Sequence, residues 1–300
     1  MSMNDLREVL DKYNLTFRKI TLINGVRIID TETGRYVLKK NSNQNIGNTY
    51  RYLKSRSFDY FPDKINDTDD YDIYEYVEDI DEPSEQKMLD LIYLVALLHL
   101  KTTYYKEVDI DDYKKIYESV NEQIDDVLKY YNNVMDAIES NVYFSPSQYL
   151  IARNVSKVYE SLNYAKENID KWYQLIKEKN RQRVVNIHNN LSLSHYLKGN
   201  KPYLISWEKS KVDMPIYDLL NLYNNHYLDI DFNDIFLEYE KRYPLLEEER
   251  ILLFTLMAIP KKIINKESNY ELCIEIRKVF DYIYKTERLI TEYRVAPSPH

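Results

Sequence analysis

Glycine is nearly missing from this chain, with four in 300 residues, and cysteine is reduced to Cys273. Backbone N–H groups approach a phosphate closely only where glycines cluster, and no segment here carries more than one, so no phosphate-cradling loop is legible. A single cysteine excludes a disulfide framework. Cys273 lies in an apolar helical context, Leu272-Cys273-Ile274, with no histidine near it in sequence, and reads as a packed thiol and not as a nucleophile. Long apolar runs are absent too. The longest, residues 91–98, falls far below the roughly 20 residues that cross a bilayer, and residues 1–12 are too polar for a signal peptide. A net charge of -8 lacks the basic excess expected of a nucleic-acid or anionic-membrane surface. GxSxG, HExxH, CxxC and GxGxxG patterns do not occur. The expectation is a cytoplasmic protein with neither nucleic-acid nor membrane partners.

What the chain does have is a globular balance, 44% hydrophobic residues, enough for a sizeable core in one large domain or two lobes. Its 31 tyrosines, with abundant Asn, Ile and Lys, share AT-rich codons and read as genome composition. Periodicity divides the chain near residue 80. Residues 17–40 alternate and are rich in β-branched types, with turns at Asn24-Gly25 and Glu32-Thr33-Gly34, which predicts a meander of strands. A helix over 41–55, a strand over 71–77 and an acidic connector over 79–83 follow. Beyond it helices dominate. Met88, Ile92, Val95, Ala96 and His99 form one buried stripe, and long amphipathic helices are predicted over 111–139 and 147–179, the second opened by Ser145-Pro146. A short strand over 183–187 precedes the motif region, and helices follow near 216–227, 232–242, 247–258 and 270–292. The tail, 294–300, reads as frayed.

Residues 187–208 have the layout H-x-D-(x)4-N, then a hairpin, then an apolar strand ending in Asp, with Asn190, His195 and Ser206 at the three chemical positions. With Tyr36-Val37-Leu38-Lys39, Leu97-Leu98-His99, Leu204-Ile205-Ser206-Trp207-Glu208, residues 213–219 and residues 243–250, the chain resembles the aminoglycoside-phosphotransferase-like branch of the kinase superfamily. Within it the chain looks most like the spore-coat kinase-like proteins of the CotS group, as a degenerate, pseudokinase member. The resemblance implies an α+β, bilobal protein-kinase-like fold. It places a strand-rich, nucleotide-binding-like N-lobe over 1–80 and a helical C-lobe over 81–300, with the catalytic loop at 188–197 and the metal-loop hairpin at 201–208.

The resemblance makes Lys39 the counterpart of the ATP-contacting lysine, and alternation along a strand turns Val37 and Lys39 to the same side of an interlobe cleft. An active kinase pairs this lysine with a helix glutamate. The predicted helix has no acid, and Gln44 is the nearest polar stand-in. His188 corresponds to the first motif residue, which orients the loop. Asn190 replaces the catalytic Asp, and an amide is no useful base near neutral pH; losing general-base help costs ~10²–10⁴ in rate. His195 replaces the magnesium-holding Asn and Ser206 the magnesium-binding carboxylate, so neither suits a hard ion. Glu208, two residues beyond Ser206, is open to two readings: a metal ligand in a rearranged site, or a partner for a nearby basic residue. Asp213, Asp218, His99 and Trp207 read as structural, and His226 as helix surface. The implied function is an inactive kinase-like interaction or scaffold protein with an unidentified protein partner and a small molecule in its cleft, related to the spore coat. No cofactor is expected beyond weak ATP with doubtful magnesium dependence. The alternative is a small-molecule phosphotransferase using ATP with non-standard metal ligands.

Overall fold

The computed structural model describes residues 13, 15–23, 26–40, 46–65 and 71–295. In chain order, the elements begin with β1 (Phe17–Ile23), β2 (Val26–Thr31), β3 (Arg35–Lys40), α1 (Ile46–Ser55), β4 (Tyr71–Glu75), α2 (Ser84–Thr102) and β5 (Tyr104–Glu107). Then come α3 (Ile110–Glu139), α4 (Pro146–Ile176), β6 (Arg181–Ile187), β7 (Tyr196–Lys198), β8 (Pro202–Leu204) and β9 (Lys211–Asp213). The last four are α5 (Ile216–His226), α6 (Phe232–Glu240), α7 (Glu247–Met257) and α8 (Asn269–Val295). The contacts gather into two compact units, Met1–Leu94 with Ser192–Ser210, and Val95–Leu191 with Lys211–His300.

In the first unit, β1 to β4 form one antiparallel sheet in sequential order. The pleat sends Ile29, Leu38 and Ile73 to one face, where they pack with Leu15 into a small core. The β2–β3 turn is closed by Thr31, whose hydroxyl donates to the Gly34 carbonyl at 2.7 Å and accepts the Gly34 N–H at 3.1 Å. Gly34 holds φ at +151°, a region L side chains rarely adopt. Along α1, Ile46, Tyr50 and Leu53 recur at helical spacing and are buried. The β7–β8 hairpin belongs to the same unit. The Leu204 N–H donates to the Tyr60 carbonyl at 2.8 Å, and Trp207, fully buried, meets Tyr50, Phe58 and Phe61 edge-on with centroids 6.1–6.5 Å away. The acidic connector is tied to this hairpin: Asp79 accepts the Lys198 N–H at 2.7 Å, Ile80 N–H donates to the Lys198 carbonyl at 2.9 Å, and Lys198 Nζ is ion-paired with Glu82 and, at 3.0 Å, Asp90.

In the second unit, α3 and α4 form an antiparallel hairpin. Tyr117 donates to Asp170 at 2.7 Å near one end, and Tyr159 donates to Asn132 at 3.0 Å toward the other. The α4 start is fixed by a reciprocal cap, the Ser145 hydroxyl accepting the Gln148 N–H at 3.3 Å and the Gln148 side chain accepting the Ser145 N–H at 2.9 Å, with Pro146 in the first turn. Helix α4 packs also on α7 and α8. Strand β6 pairs antiparallel with β5 and β9. Arg183 is held between Glu249, ion-paired with it, and the Tyr243 ring, 4.5 Å from its guanidinium carbon.

Several expectations shift. The whole of the predicted α2 stripe, Met88, Ile92, Val95, Ala96 and His99, is buried. Strand β5 had no sequence signal, because all four of its side chains are exposed and it pairs through backbone alone. Contacts divide the chain elsewhere than at residue 80: residues 192–210 gather with the sheet unit, drawn there by Trp207 and the connector ties, while the sequence reading kept 188–208 with the helices. The Asn24-Gly25 turn, residues 1–12 and Gln44 lie outside the described residues; the predicted tail is helical through Val295 and beyond that also lies outside them. Among the described residues no helix is long and apolar enough to cross a membrane.

Candidate functional site

A cavity of about 440 Å³ lies within the first unit, on the sheet face opposite the small core. Val37 and Lys39 both line it, as the strand alternation requires, with Tyr74 paired to Val37 across β3 and β4. Most of its wall is apolar. Lys39, His195, Ser206 and Glu208 are among its polar lining residues. The Lys39 ammonium donates to the Ser206 hydroxyl at 3.1 Å and to the Glu208 carboxylate at 3.2 Å. Lys39 and Glu208 are 22% and 28% exposed, shielded enough that the attraction is stronger than for a surface pair.

The backbone arranges this contact. Trp207, clamped by its ring N–H to the Leu204 carbonyl at 2.8 Å, fixes the strand end, and Ser206 turns the chain in the left-handed region at φ 68°, ψ 52°. A serine there is strained by order 1–3 kcal/mol, sustained because both neighbours are fixed. A short turn over Leu193–His195 carries the half-buried His195; its N–H donates to the Ser192 carbonyl and its carbonyl accepts the Ile205 N–H, both at 2.9 Å. Burial and the nearby Glu208 charge raise the Tyr50 phenol well above its ordinary range, and burial raises that of Tyr74, so both stay protonated.

His188 and Asn190 belong to the second unit. The loop after β6 is held by Asp218, fully buried, whose two oxygens accept the backbone N–H groups of His188 at 2.8 Å and Asn189 at 2.7 Å. Asn189 takes φ 57°, a conformation asparagine tolerates. His99 Nε2 lies 3.1 Å from Asp218 and Nδ1 lies 2.6 Å from the Tyr239 hydroxyl. Burial keeps the Tyr239 phenol protonated. With Nε2–H donating to the carboxylate and one proton on the ring, Nδ1 is the acceptor that the Tyr239 hydroxyl can fill. His188 is fully buried and Asn190 half-buried. Asp218 thus ties the loop backbone at two successive residues, but the side chain at Asn190 is an amide and takes up no proton.

The residues at the cavity do not fit a magnesium-bridged nucleotide. The side chains in contact with Lys39 are a hydroxyl and a carboxylate ion-paired with it, and among the described residues no three His, Cys, Asp or Glu side chains converge as a metal site. The structure places Lys39 on the cavity wall, forms the β7–β8 hairpin and leaves α1 without an acid in its first turn, and it pairs Glu208, whose role the sequence left open, with Lys39. The Asp218–His99–Tyr239 clamp was missed as a unit. The sequence reading took Asp218 and His99 separately as structural and joined neither to Tyr239.

No protein-family model matches the sequence, and no curated protein does. Solved structures do. An aminoglycoside phosphotransferase from Alicyclobacillus acidocaldarius superposes with a TM-score of 0.70 at 12% identity, over 95% of this chain and 94% of that one. A spectinomycin phosphotransferase in its AMP-bound complex gives 0.56 at 12% identity over 99% and 96%. A choline kinase from Streptococcus pneumoniae gives 0.51 at 14% identity over 98% and 99%. An antiparallel sheet unit, a large helical unit and these superpositions over nearly the full length together show that the chain has the kinase-like fold of the aminoglycoside phosphotransferases and choline kinases.

Proposed function

We propose that this protein keeps the phosphotransferase fold without the reaction and works by binding, as an interaction or scaffold protein whose cavity takes a small molecule. The observation that carries the reading is that His195 and Ser206, at the positions the resemblance assigns to metal ligands, line the cavity beside Lys39. Phosphoryl transfer runs on positive charge placed over the transferring group and on metal bridging it to the protein. Here the positions that should hold metal are an imidazole and a hydroxyl, His195 and Ser206, neither suited to a hard ion. Asn190 removes the proton acceptor as well. The sequence resemblance to spore-coat kinase-like proteins suggests the setting, spore-envelope assembly if the organism sporulates, with a protein partner.

The test is ADP release from ATP with Mg²⁺ or Mn²⁺, offered sugars, aminoglycosides and choline as acceptors. The expected result is none above background. Turnover that scales with protein concentration and disappears in Lys39→Ala would overturn the reading. It would favour the second one, a small-molecule phosphotransferase with non-standard metal ligands, for which the presence of Ser206 and Glu208 on one cavity wall speaks. That enzyme would show metal-dependent ATP binding lost in Glu208→Gln.

A further inference from the structure

We infer that the loop joining α3 to α4 is a lipid-contacting knob, which sets Val142, Tyr143 and Phe144 into the surface of a zwitterionic bilayer. The cavity of the sheet unit has no part in this contact, which lies wholly on the helical unit. In a chain with 30% charged residues, the stretch from Ser140 to Ala152 carries none. The polar side chains of the loop are taken up in closing the two helices. Ser140 and Asn141 donate to the Ala137 carbonyl at 2.8 and 2.9 Å, and Ser145 and Gln148 cap each other at the start of α4. What remains between them is apolar and faces outward: Val142, Tyr143 and Phe144 are 87%, 88% and 48% exposed. Asn269 donates to the Ser147 hydroxyl at 3.2 Å, which brings the start of α8, with Tyr270 76% exposed, to the same end of the unit.

Area and charge decide the occupant. A handful of side chains at the end of a helical hairpin falls far short of the roughly 800 Å² per partner that a stable dimer of this chain would need. A bilayer sets no such threshold. Val and Phe enter the acyl boundary, and a Tyr ring places its body there and its hydroxyl among the head groups. The last turn of α3 carries Asp136 and Glu139 and no base, the first turn of α4 carries no acid, and that of α8 carries Glu271. This acidic margin repels anionic lipid and complements the ammonium that a phosphatidylcholine head group turns to the water. The expected absence of a membrane partner rests on net charge and on the lack of a spanning run, and an uncharged loop tip needs neither. A single myristoyl chain binds membranes only marginally, at about 10⁴ M⁻¹, and three side chains bind less, so the contact is reversible and calls for abundant lipid.

Co-flotation of the full chain with phosphatidylcholine vesicles at millimolar lipid tests the inference. The wild type is expected to partition onto them, and Tyr143→Ser/Phe144→Ser to lose about tenfold or more in partition coefficient. Tyr284→Ser, at a 67% exposed position about 20 Å along α8 from Tyr270, should stay within about twofold of wild type. Raising salt from about 50 to about 500 mM should change partition by less than about twofold, since no attraction between net charges drives it. Replacing part of the phosphatidylcholine by phosphatidylserine should weaken it. Phe144→Trp should gain blue-shifted emission on vesicles that lipid brominated in its acyl chains quenches. Circular dichroism of each variant confirms folding. No wild-type partition, equal partition by the double variant, or binding that requires phosphatidylserine and disappears with salt overturns the inference. Self-association of the wild type that the double variant loses, with vesicles left unbound, would also overturn it and give the knob to a second copy of the chain.

Discussion

At the scale of single residues, the largest energies sit away from the cavity. Asp218 accepts two backbone N–H groups and faces His99 while fully buried, whereas Lys39 and Glu208 are each about a quarter exposed. Removing a buried carboxylate strands its partners and costs on the order of 3–5 kcal/mol, against about 1 kcal/mol or less for a partly exposed pair. Asp218→Ala is therefore expected to lower unfolding free energy in urea several times more than Glu208→Gln does. Asp218→Asn, keeping one acceptor oxygen, should fall between. Equal effects would mean that the loop does not depend on Asp218. His226 supplies a pH-dependent contribution. Burial holds its imidazole below the ordinary value of 6.5, with Asp229 pulling weakly upward. The unfolded chain then takes up the proton first as pH falls. The stability contribution is whole above about 6.5, declines as the pH drops toward the folded-state value and levels off below it. His226→Gln should flatten that segment of a stability-versus-pH profile; an unchanged profile would assign the slope to other groups.

Elements differ in how openly the sequence declares them. Helix α4 announced its start through Ser145-Pro146, since a hydroxyl cap and a proline at the first turn have one geometric use, and Ser145 and Gln148 do cap each other. Ser145→Ala should cost about 1 kcal/mol, a drop of a few degrees in melting temperature, and Ser145→Asp should keep most of the stability. A loss near zero would show that α4 is held by its packing on α3, α7 and α8 alone. Strand β3 was legible because Val37 and Lys39 alternate with buried Leu38. Strand β5 was not, since Tyr104–Glu107 buries no side chain and local pattern records only side chains. The site was half legible for a related reason. That α1 carries no acid is visible locally, but the carboxylate that pairs with Lys39 stands 169 residues from it, and nothing near either residue announces the other.

At the scale of the molecule, the division into a sheet part and a helical part could be read from periodicity, but the return of residues 192–210 to the sheet unit could not, because it depends on which core receives Trp207. The chain's two tryptophans fall one in each unit, Trp172 and Trp207, both fully buried. Single-tryptophan variants therefore report the units separately. The sheet unit is the shorter of the two, and smaller cores bury a lower fraction of their surface. Trp207 emission in Trp172→Phe should shift red at lower urea than Trp172 emission in Trp207→Phe, and the opposite order would make the helical unit the weaker one.

Because the sheet unit is discontinuous in sequence, it has a history as well as a structure. During synthesis its strands emerge early, yet Tyr50, Phe58 and Phe61 lack the ring that fills their cluster until Trp207 has left the ribosome. The α3–α4 hairpin, whose helices are joined by only residues 140–145, completes its contacts from neighbouring sequence while that cluster still waits. The part of the chain made first is thus finished after helices made later, and its half-built aromatic core spends that interval as the surface a chaperone would recognise.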